Sequence, residues 1–190
     1  MWGGKTEALV SRLVRAQIQD IPVLAFNPQR NQRYGTNDIK AHSGAHFPAI
    51  PVENGDEIVQ ICKERDPAVI GIDEFFMIPE AMKAVRALLD RHAKIVVATL
   101  DMDSEARVWD SVAQLLGLAE EVIKCPAVCA SCKADAYYTF RKGMAPSSRV
   151  LVGTDDFYEP RCRSCFEAGQ EAKRFQDGEE GLFSRQARRD

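Results

Sequence analysis

The sequence predicts an α/β protein with a parallel sheet flanked by helices, followed by a small cysteine-bearing domain. Up to residue 125, apolar β-branched runs alternate with helical patterns, which is typical of a parallel sheet covered on both faces. Two Cys-x-x-Cys pairs follow in a stretch of different composition. The chain has 190 residues, 45% of them hydrophobic, which suits a globular protein with one core and a small module.

The spacing and length of apolar runs assign the elements in order. Apolar residues at Leu9, Leu13 and Ile18, with charged residues between them, predict a first helix with one buried face. The predicted helices span 5–19, 55–64, 79–92 and 105–117, and the predicted strands span 23–26, 68–72, 94–100 and 121–124. The polar stretch 27–47 is expected to be a functional loop or a disordered one. Short β-like pieces are expected at 136–141 and 149–153.

The change in composition near residue 125 predicts a domain boundary. Residues 1–125 are assigned to the sheet domain and residues 126–166 to the cysteine-bearing domain. Residues 167–190 form a polar tail of mixed charge, which we expect to be partly disordered.

Charge and hydropathy exclude several classes of protein. The net charge of −3 excludes a strongly basic nucleic-acid coat protein, and the lack of a stripe dense in Lys and Arg argues against nucleic-acid binding. No apolar leader follows Met1, and the longest apolar runs are too short to cross a bilayer. We therefore expect a cytoplasmic protein with reduced thiols and no membrane partner.

The residues before the first helix suit a phosphate group. Gly3 and Gly4 let backbone N–H groups turn toward an anion, Lys5 supplies positive charge, and the Thr6 hydroxyl suits Mg²⁺. The full pattern, GxxxxGKS or GxxxxGKT, would need a first glycine and a strand upstream of Met1. An ordinary turn is therefore the alternative.

Two acidic residues follow the most apolar predicted strand. Asp73 and Glu74 stand at its carboxyl end, the edge where doubly wound sheets bind ligands. Asp73 is a candidate Mg²⁺ ligand, and Glu74 is a candidate acceptor for the proton of an attacking hydroxyl. A solvated strand end is the alternative for both.

The paired cysteines predict a metal site. Cys129, Cys132, Cys162 and Cys165 form two Cys-x-x-Cys turns, which together can complete a tetrahedral thiolate shell around zinc. Four thiolates leave no open position, so the metal would be structural. Two disulfides or an iron–sulfur cluster are the alternatives.

The order and spacing of several motifs resemble the type II thymidine kinases, which are P-loop deoxynucleoside kinases with a zinc-bearing lasso domain. The matching segments are MWGGKT at 1–6, RYG at 33–35, IGIDE at 70–74, AVCASC at 127–132, DAYYTFR at 135–141 and CRSC at 162–165. The resemblance implies a RecA-like P-loop sheet with a zinc-ribbon lasso. It also implies a homotetramer that transfers the γ-phosphoryl group of ATP to the 5′-hydroxyl of thymidine in nucleotide salvage.

The resemblance also implies roles for individual residues. Residues 3–6 would hold the triphosphate and its metal together with Asp73, and Glu74 would be the general base. Tyr158 would pack on the sugar, with Gly153 and Thr154 nearby. The four paired cysteines would hold structural Zn²⁺.

The sequence departs from the family pattern at the start and around the acceptor site. The first strand is missing, so we expect that the true start lies upstream. Without a gap in the alignment, Phe76 stands where the family has a Gln; with a two-residue gap, Phe75 and Phe76 match two family Phe residues and the Gln is lost. Ser104 and Glu105 replace a Phe and Arg, and Thr154 replaces a Gly. These changes allow a related deoxynucleoside as acceptor. The alternatives are a nucleotide-binding paralogue without turnover and a zinc-ribbon binding module.

Overall fold

The computed structural model describes residues 2–29, 37–143 and 157–186, with side chains described up to residue 175. The chain divides into two compact units. The first, the sheet unit, comprises Trp2–Asp103 and Arg107–Cys125. The second, the cysteine unit, comprises chiefly Pro126–Asp190 together with Ser104–Ala106.

The sheet unit is built around four parallel strands. Its elements in chain order are α1 (Lys5–Ile18), β1 (Val23–Pro28), β2 (Asp38–Lys40), β3 (His46–Pro48), β4 (Ile50–Val52), α2 (Gly55–Arg65), β5 (Val69–Ile72), a short 3-10 helix (Phe75–Met77), α3 (Ala81–Leu89), β6 (Lys94–Val97) and α4 (Asp110–Leu118). The strand order is β4-β1-β5-β6, and every neighbouring pair is parallel. The predicted parallel sheet is thereby confirmed.

Helices cover both faces of this sheet. Leu9 and Leu13 of α1 pack with Ala25 of β1 on one face. On the other face, Phe26 and Ile72 lie in a second core with buried residues from the remaining helices. Ile58 of α2, Val85 and Leu88 of α3 and Val112 of α4 complete that core. Side chains of a strand point alternately to opposite faces, so β1, β5 and β6 each contribute to both cores.

The segment predicted as a polar loop contains a hairpin instead. Strands β2 and β3 pair antiparallel, and Ile39 and Phe47 are buried in the core beneath α1. These two apolar side chains explain why part of the polar stretch is ordered. Residues 30–36 of the same stretch lie outside the described residues.

The predicted strand over 121–124 is wrong. These residues have no regular structure, and the side chains of Val122 and Ile123 are 47% and 56% exposed. Within the described part of the sheet, β6 is an edge strand, with β5 on one side. An apolar run becomes a strand only where its backbone pairs with a neighbour, and residues 121–124 pair with none of the described strands.

The described part of the cysteine unit consists of two antiparallel strand pairs and a helix. Its elements are β7 (Ala127–Val128), β8 (Asp135–Ala136), β9 (Tyr138–Arg141), β10 (Tyr158–Arg161) and α5 (Arg163–Gln186). β7 pairs antiparallel with β8, and β9 with β10. The β-like piece expected at 149–153 lies outside the described residues.

Helix α5 occupies most of the segment that the sequence predicts as a polar tail. Phe166 stacks on Tyr138 with ring centroids 4.9 Å apart and meets Phe140 edge-on at 6.2 Å. These contacts pack the first turn of α5 against β9. This packing stabilises the first turn of a helix that is otherwise polar. None of the helices in the described residues combines the length and hydropathy needed to span a bilayer.

Gly71→Ala is expected to lower the free energy of unfolding by about 1–3 kcal/mol, because a Cβ would lie 2.6 Å from Leu13 Cδ1 in a close-packed core. Urea unfolding measures this cost. Gly117→Ala is the matched control in α4, where a Cβ meets nothing within 4 Å, and it should stabilise by up to about 1 kcal/mol. Leu13→Ala makes room at Gly71, so the double variant should lose less stability than the sum of the single variants. Strictly additive costs would contradict this packing.

Candidate active site

The chain enters α1 through a glycine turn. Gly4 has φ +73°, a left-handed conformation that glycine adopts without steric cost, and it caps the helix that begins at Lys5. The Ala8 N–H donates to the Gly4 carbonyl at 2.9 Å, which closes the first helical turn. The N–H groups of such a first turn have no partner within the helix, so they and the helix dipole favour an anion.

Asp73 lies beside this helix start. Its N–H donates to the Phe26 carbonyl at 2.9 Å, and its side chain is buried, with 8% of the residue exposed. Burial and the charge of Glu74 raise the pKa of Asp73 to about 7, although Lys5 and a hydrogen bond with the Thr6 hydroxyl oppose the shift. The fold therefore brings Lys5, Thr6, Asp73 and Glu74 together, as the sequence predicts for a phosphate and metal site.

Glu74 holds a left-handed backbone conformation between two anchored neighbours. Its φ and ψ are 46° and 43°, a region that costs a non-glycine residue of the order of 1 kcal/mol or more. Asp73 is tied to β1, and the N–H of Phe75 donates to the Ala98 carbonyl at 3.3 Å, with the Phe75 ring fully buried. These two hydrogen bonds on either side of Glu74 fix the position of its Cα, from which the carboxylate side chain extends.

An aromatic pair supports the glycine turn. The Trp2 indole stacks on the His42 imidazole with ring centroids 4.1 Å apart and planes 23° apart. His42 lies in the turn between β2 and β3, so the contact joins that hairpin to the start of α1. No sequence pattern predicts this pair, because nothing in the spacing of residues 2 and 42 implies contact.

The departures from the family pattern fall into two places. Phe75 is core, whereas Phe76 packs against Trp109, with ring centroids 5.4 Å apart. An apolar aromatic contact thus stands where the family has a Gln. In the cysteine unit, the Gln170 amide donates to the Ser104 carbonyl at 3.2 Å.

The predicted nucleoside-binding residues are only partly described. Tyr158 lies in β10, where its hydroxyl accepts a hydrogen bond of 3.2 Å from Arg141. Gly153 and Thr154 lie outside the described residues, and their predicted role stays a prediction.

Asn27 is a site residue that no motif singles out. It is the fifth residue of β1, is 4% exposed, and its Oδ1 has no hydrogen-bond donor among the described residues. An asparagine at the end of an apolar strand looks like a turn residue in the sequence. Only the strand register, which places it beside Asp73, reveals its position.

The four predicted metal ligands cluster in the cysteine unit. The Sγ atoms of Cys129, Cys132, Cys162 and Cys165 all lie within 4.8 Å of one another, and those of Cys132 and Cys162 are 3.5 Å apart. Tetrahedral zinc–thiolate bonds of about 2.3 Å separate the sulfurs by roughly 3.8 Å, so the cluster fits such an ion. All four thiols are free, which argues against the disulfide alternative.

Backbone groups prepare part of this cluster for a cation. N–H groups of Cys132 and Cys162 donate to the Cys129 sulfur and lower the pKa of that thiol to about 6. Hydrogen bonding with Cys162 raises the pKa of Cys165, because thiols without a metal share their protons. A cation in their midst would favour all four thiolates.

Comparison with known proteins decides the family. A sequence model of the thymidine kinase family matches residues 1–166. The chain belongs to the thymidine kinase family. It is 35% identical over 168 residues to a thymidine kinase of Rhodothermus sp. (strain ITI 518), an alignment that covers 88% of this chain and 78% of that protein. It is 32% identical over 179 residues to a thymidine kinase of Roseiflexus sp. (strain RS-1), covering 90% and 92% respectively. Membership makes the chain a kinase, a class of enzyme that uses ATP.

Asp73→Asn is expected to stabilise the metal-free kinase at about pH 8 by an amount of the order of 1–4 kcal/mol. The raised pKa means that the folded protein holds a proton which the unfolded chain releases between pH 3.8 and about 7. The free energy of unfolding of the wild type therefore falls as the pH rises through this interval. Urea unfolding at about pH 5 and about pH 8 measures the difference in free energy of unfolding between the variant and the wild type. This difference should be smaller at the lower pH. An advantage that is equal at both pH values would contradict the shift.

Proposed function

We propose that this kinase transfers the γ-phosphoryl group of ATP to the 5′-hydroxyl of thymidine or a related deoxynucleoside. The observation that carries the proposal is the meeting of Lys5 and Thr6 with Asp73 and Glu74 at the carboxyl end of β5. The names of both relatives support thymidine as the acceptor. We expect the reaction to serve nucleotide salvage in the cytoplasm.

The start of α1 would bind the triphosphate. The N–H groups of its first turn and the Lys5 ammonium are positive groups that suit the β- and γ-phosphates. The Thr6 hydroxyl and the Asp73 carboxylate are oxygen donors of the kind that Mg²⁺ prefers, and the influence of Thr6 on the pKa of Asp73 supports their proximity. Mg²⁺ held there would neutralise charge on the transferring phosphoryl group.

Glu74 would act on the acceptor. Its carboxylate takes the proton of the 5′-hydroxyl as the hydroxyl oxygen bonds to the γ-phosphorus. The bond between that phosphorus and the oxygen bridging the β- and γ-phosphates breaks, and ADP leaves with the bonding electrons. The rigid backbone around Glu74 favours this role, because transfer depends on positioning.

A nucleotide-binding paralogue without turnover is the second candidate. Ser104, Glu105 and Phe76 stand in place of residues that the family uses near the nucleoside, which favours altered acceptor binding. Retention of Glu74 beside Asp73 opposes this candidate, because ATP binding alone needs no proton acceptor there. Tyr158, Gly153 and Thr154 keep the nucleoside-binding role that the resemblance implies.

Phosphoryl transfer from Mg-ATP to thymidine, deoxyuridine, deoxycytidine and the purine deoxynucleosides tests the proposal. The wild type should phosphorylate thymidine, and Glu74→Gln should reduce kcat by about 10²–10⁴-fold while ATP binding is kept. Glu80→Gln is the matched control, because Glu80 is exposed and also caps a helix in a left-handed conformation, with φ 56°. ATP binding without turnover of any acceptor would favour the paralogue, and full activity of Glu74→Gln would refute the base.

We also propose that the cysteine cluster holds structural Zn²⁺. The sulfur spacing supports this ion, and four thiolates would leave no position for a substrate. The ion would tie the β7–β8 turn to the start of α5, since Cys129 and Cys132 follow β7 while Cys162 and Cys165 flank that start.

Purified protein is expected to carry about one zinc per chain, measured by elemental analysis. Cys132→Ser should lower the zinc content and the thermal stability of the cysteine unit, because a structural ion contributes its binding energy to folding. Cys125→Ser is the control, since Cys125 lies outside the cluster. Iron in place of zinc would support the iron–sulfur alternative, and a stable fold with no metal would overturn the assignment.

The homotetramer implied by the resemblance stays a proposal. Light scattering of the protein as it elutes from a size-exclusion column measures its mass in solution. A mass equal to four chains of 21.2 kDa would support the homotetramer.

A further inference from the structure

Among the described residues of the sheet unit, Asn27 is the one buried amide at the carboxyl edge of the sheet, and the proposed chemistry does not use it. Its residue is 4% exposed, and Oδ1 has no donor among the described residues. Burying an amide oxygen without a hydrogen bond costs about 1–3 kcal/mol, so a partner at this position is expected when the site is in use.

The strand register places Asn27 beside Asp73. β1 and β5 pair Ala25 with Gly71 and, last in this ladder, Phe26 with Ile72, so Asn27 and Asp73 are the residues that directly follow the last pair. The Asp73 N–H donates to the Phe26 carbonyl at 2.9 Å, and this bond holds Asp73 alongside β1 next to Asn27. The two side chains are therefore neighbours across the strands.

Alternation along the strands fixes the face on which these neighbours lie. Ala25 packs in the core beneath α1, and a Cβ on Gly71 would collide with Leu13 of α1. Residues two positions further along a strand point to the same face, so Asn27 and Asp73 both face α1. Asp73 directly follows β5, and the influence of Lys5 and Thr6, both in the first turn of α1, on the pKa of Asp73 agrees with this face.

The amide is oriented by its other end. Asn27 Nδ2 lies 3.5 Å from the Asp38 carbonyl of β2, a long contact in which the nitrogen is the donor. The amide nitrogen is thus directed to β2, which leaves Oδ1 as the acceptor on the other side of the group. A carboxylate, a hydroxyl and an amide oxygen then line one face, and all three are hard oxygen donors.

We propose that Asn27 Oδ1 is a positioning group for the divalent cation of the nucleotide, accepting a hydrogen bond from a water molecule on that cation. The inference rests on the proposed function, because it assumes a metal-bound nucleotide at Thr6 and Asp73. Mg²⁺ keeps several of its waters in protein sites, and those waters need acceptors. Partners of this kind commonly change metal affinity by about 10–100-fold.

Binding of Mn²⁺ in the presence of saturating ADP, followed by electron paramagnetic resonance, tests the proposal on three proteins. Asn27→Leu removes the oxygen at similar size, and its Kd for Mn²⁺ should rise by about tenfold or more. Asn27→Asp keeps an oxygen and adds charge, and its Kd should equal or fall below that of the wild type. Unfolding of the metal-free proteins provides a second readout. Asn27→Leu should be at least as stable as the wild type, because the unpaired buried acceptor is gone.

Each outcome bears on a different claim. Mn²⁺ affinity within twofold of the wild type in Asn27→Leu overturns the role of Asn27, and so does equal weakening in both variants, which would show that only packing matters. Failure of the wild type to bind Mn²⁺ with ADP would instead remove the proposed function, and this inference with it. A folded Asn27→Asp that binds more tightly supports the inference even if Asn27→Leu does not fold.

Discussion

Close packing of α1 against β5 is the constraint on which the candidate site depends. Gly71 leaves room for Leu13, so the helix lies directly on the strand. This approach brings the first turn of α1 to the carboxyl end of β5, where Thr6 meets Asp73. Thr6 and Asp73 are far apart in the sequence, and this contact between α1 and β5 brings them together. The candidate site therefore depends on one helix–strand contact, because the close approach of α1 to β5 puts Thr6 near Asp73.

The same contact creates an electrostatic cost that a ligand would relieve. Asp73 is buried beside Glu74, so one carboxyl holds a proton that it would lose readily in water. A cation reverses this preference, because it stabilises the charged form in a poorly solvated place. The cysteine cluster shows the same physics with sulfur ligands, where nearby thiols share protons in the absence of a metal.

Prediction from sequence succeeded where a pattern was local or periodic. The apolar runs at 68–72 and 94–100 marked two of the parallel strands, and the Cys-x-x-Cys spacing marked the sulfur cluster. It failed at 121–124, since an apolar run cannot show whether a neighbouring strand exists. Contacts between distant residues were also out of reach. The stacking of Trp2 on His42 depends on the β2–β3 hairpin. The two buried side chains of that hairpin, Ile39 and Phe47, do not follow the periodic spacing of a helix or a strand, so no pattern predicts them.

The left-handed conformation of Glu74 has a consequence for how such a kinase can evolve. Glycine is the residue best suited to that backbone, and a single base change turns a glutamate codon into a glycine codon. A substitution that removes the proton acceptor would therefore relax the chain at that point. Selection for stability alone would not preserve the carboxylate and would even favour its loss. Lineages that no longer need the proposed reaction can thus drift to well-folded, inactive descendants.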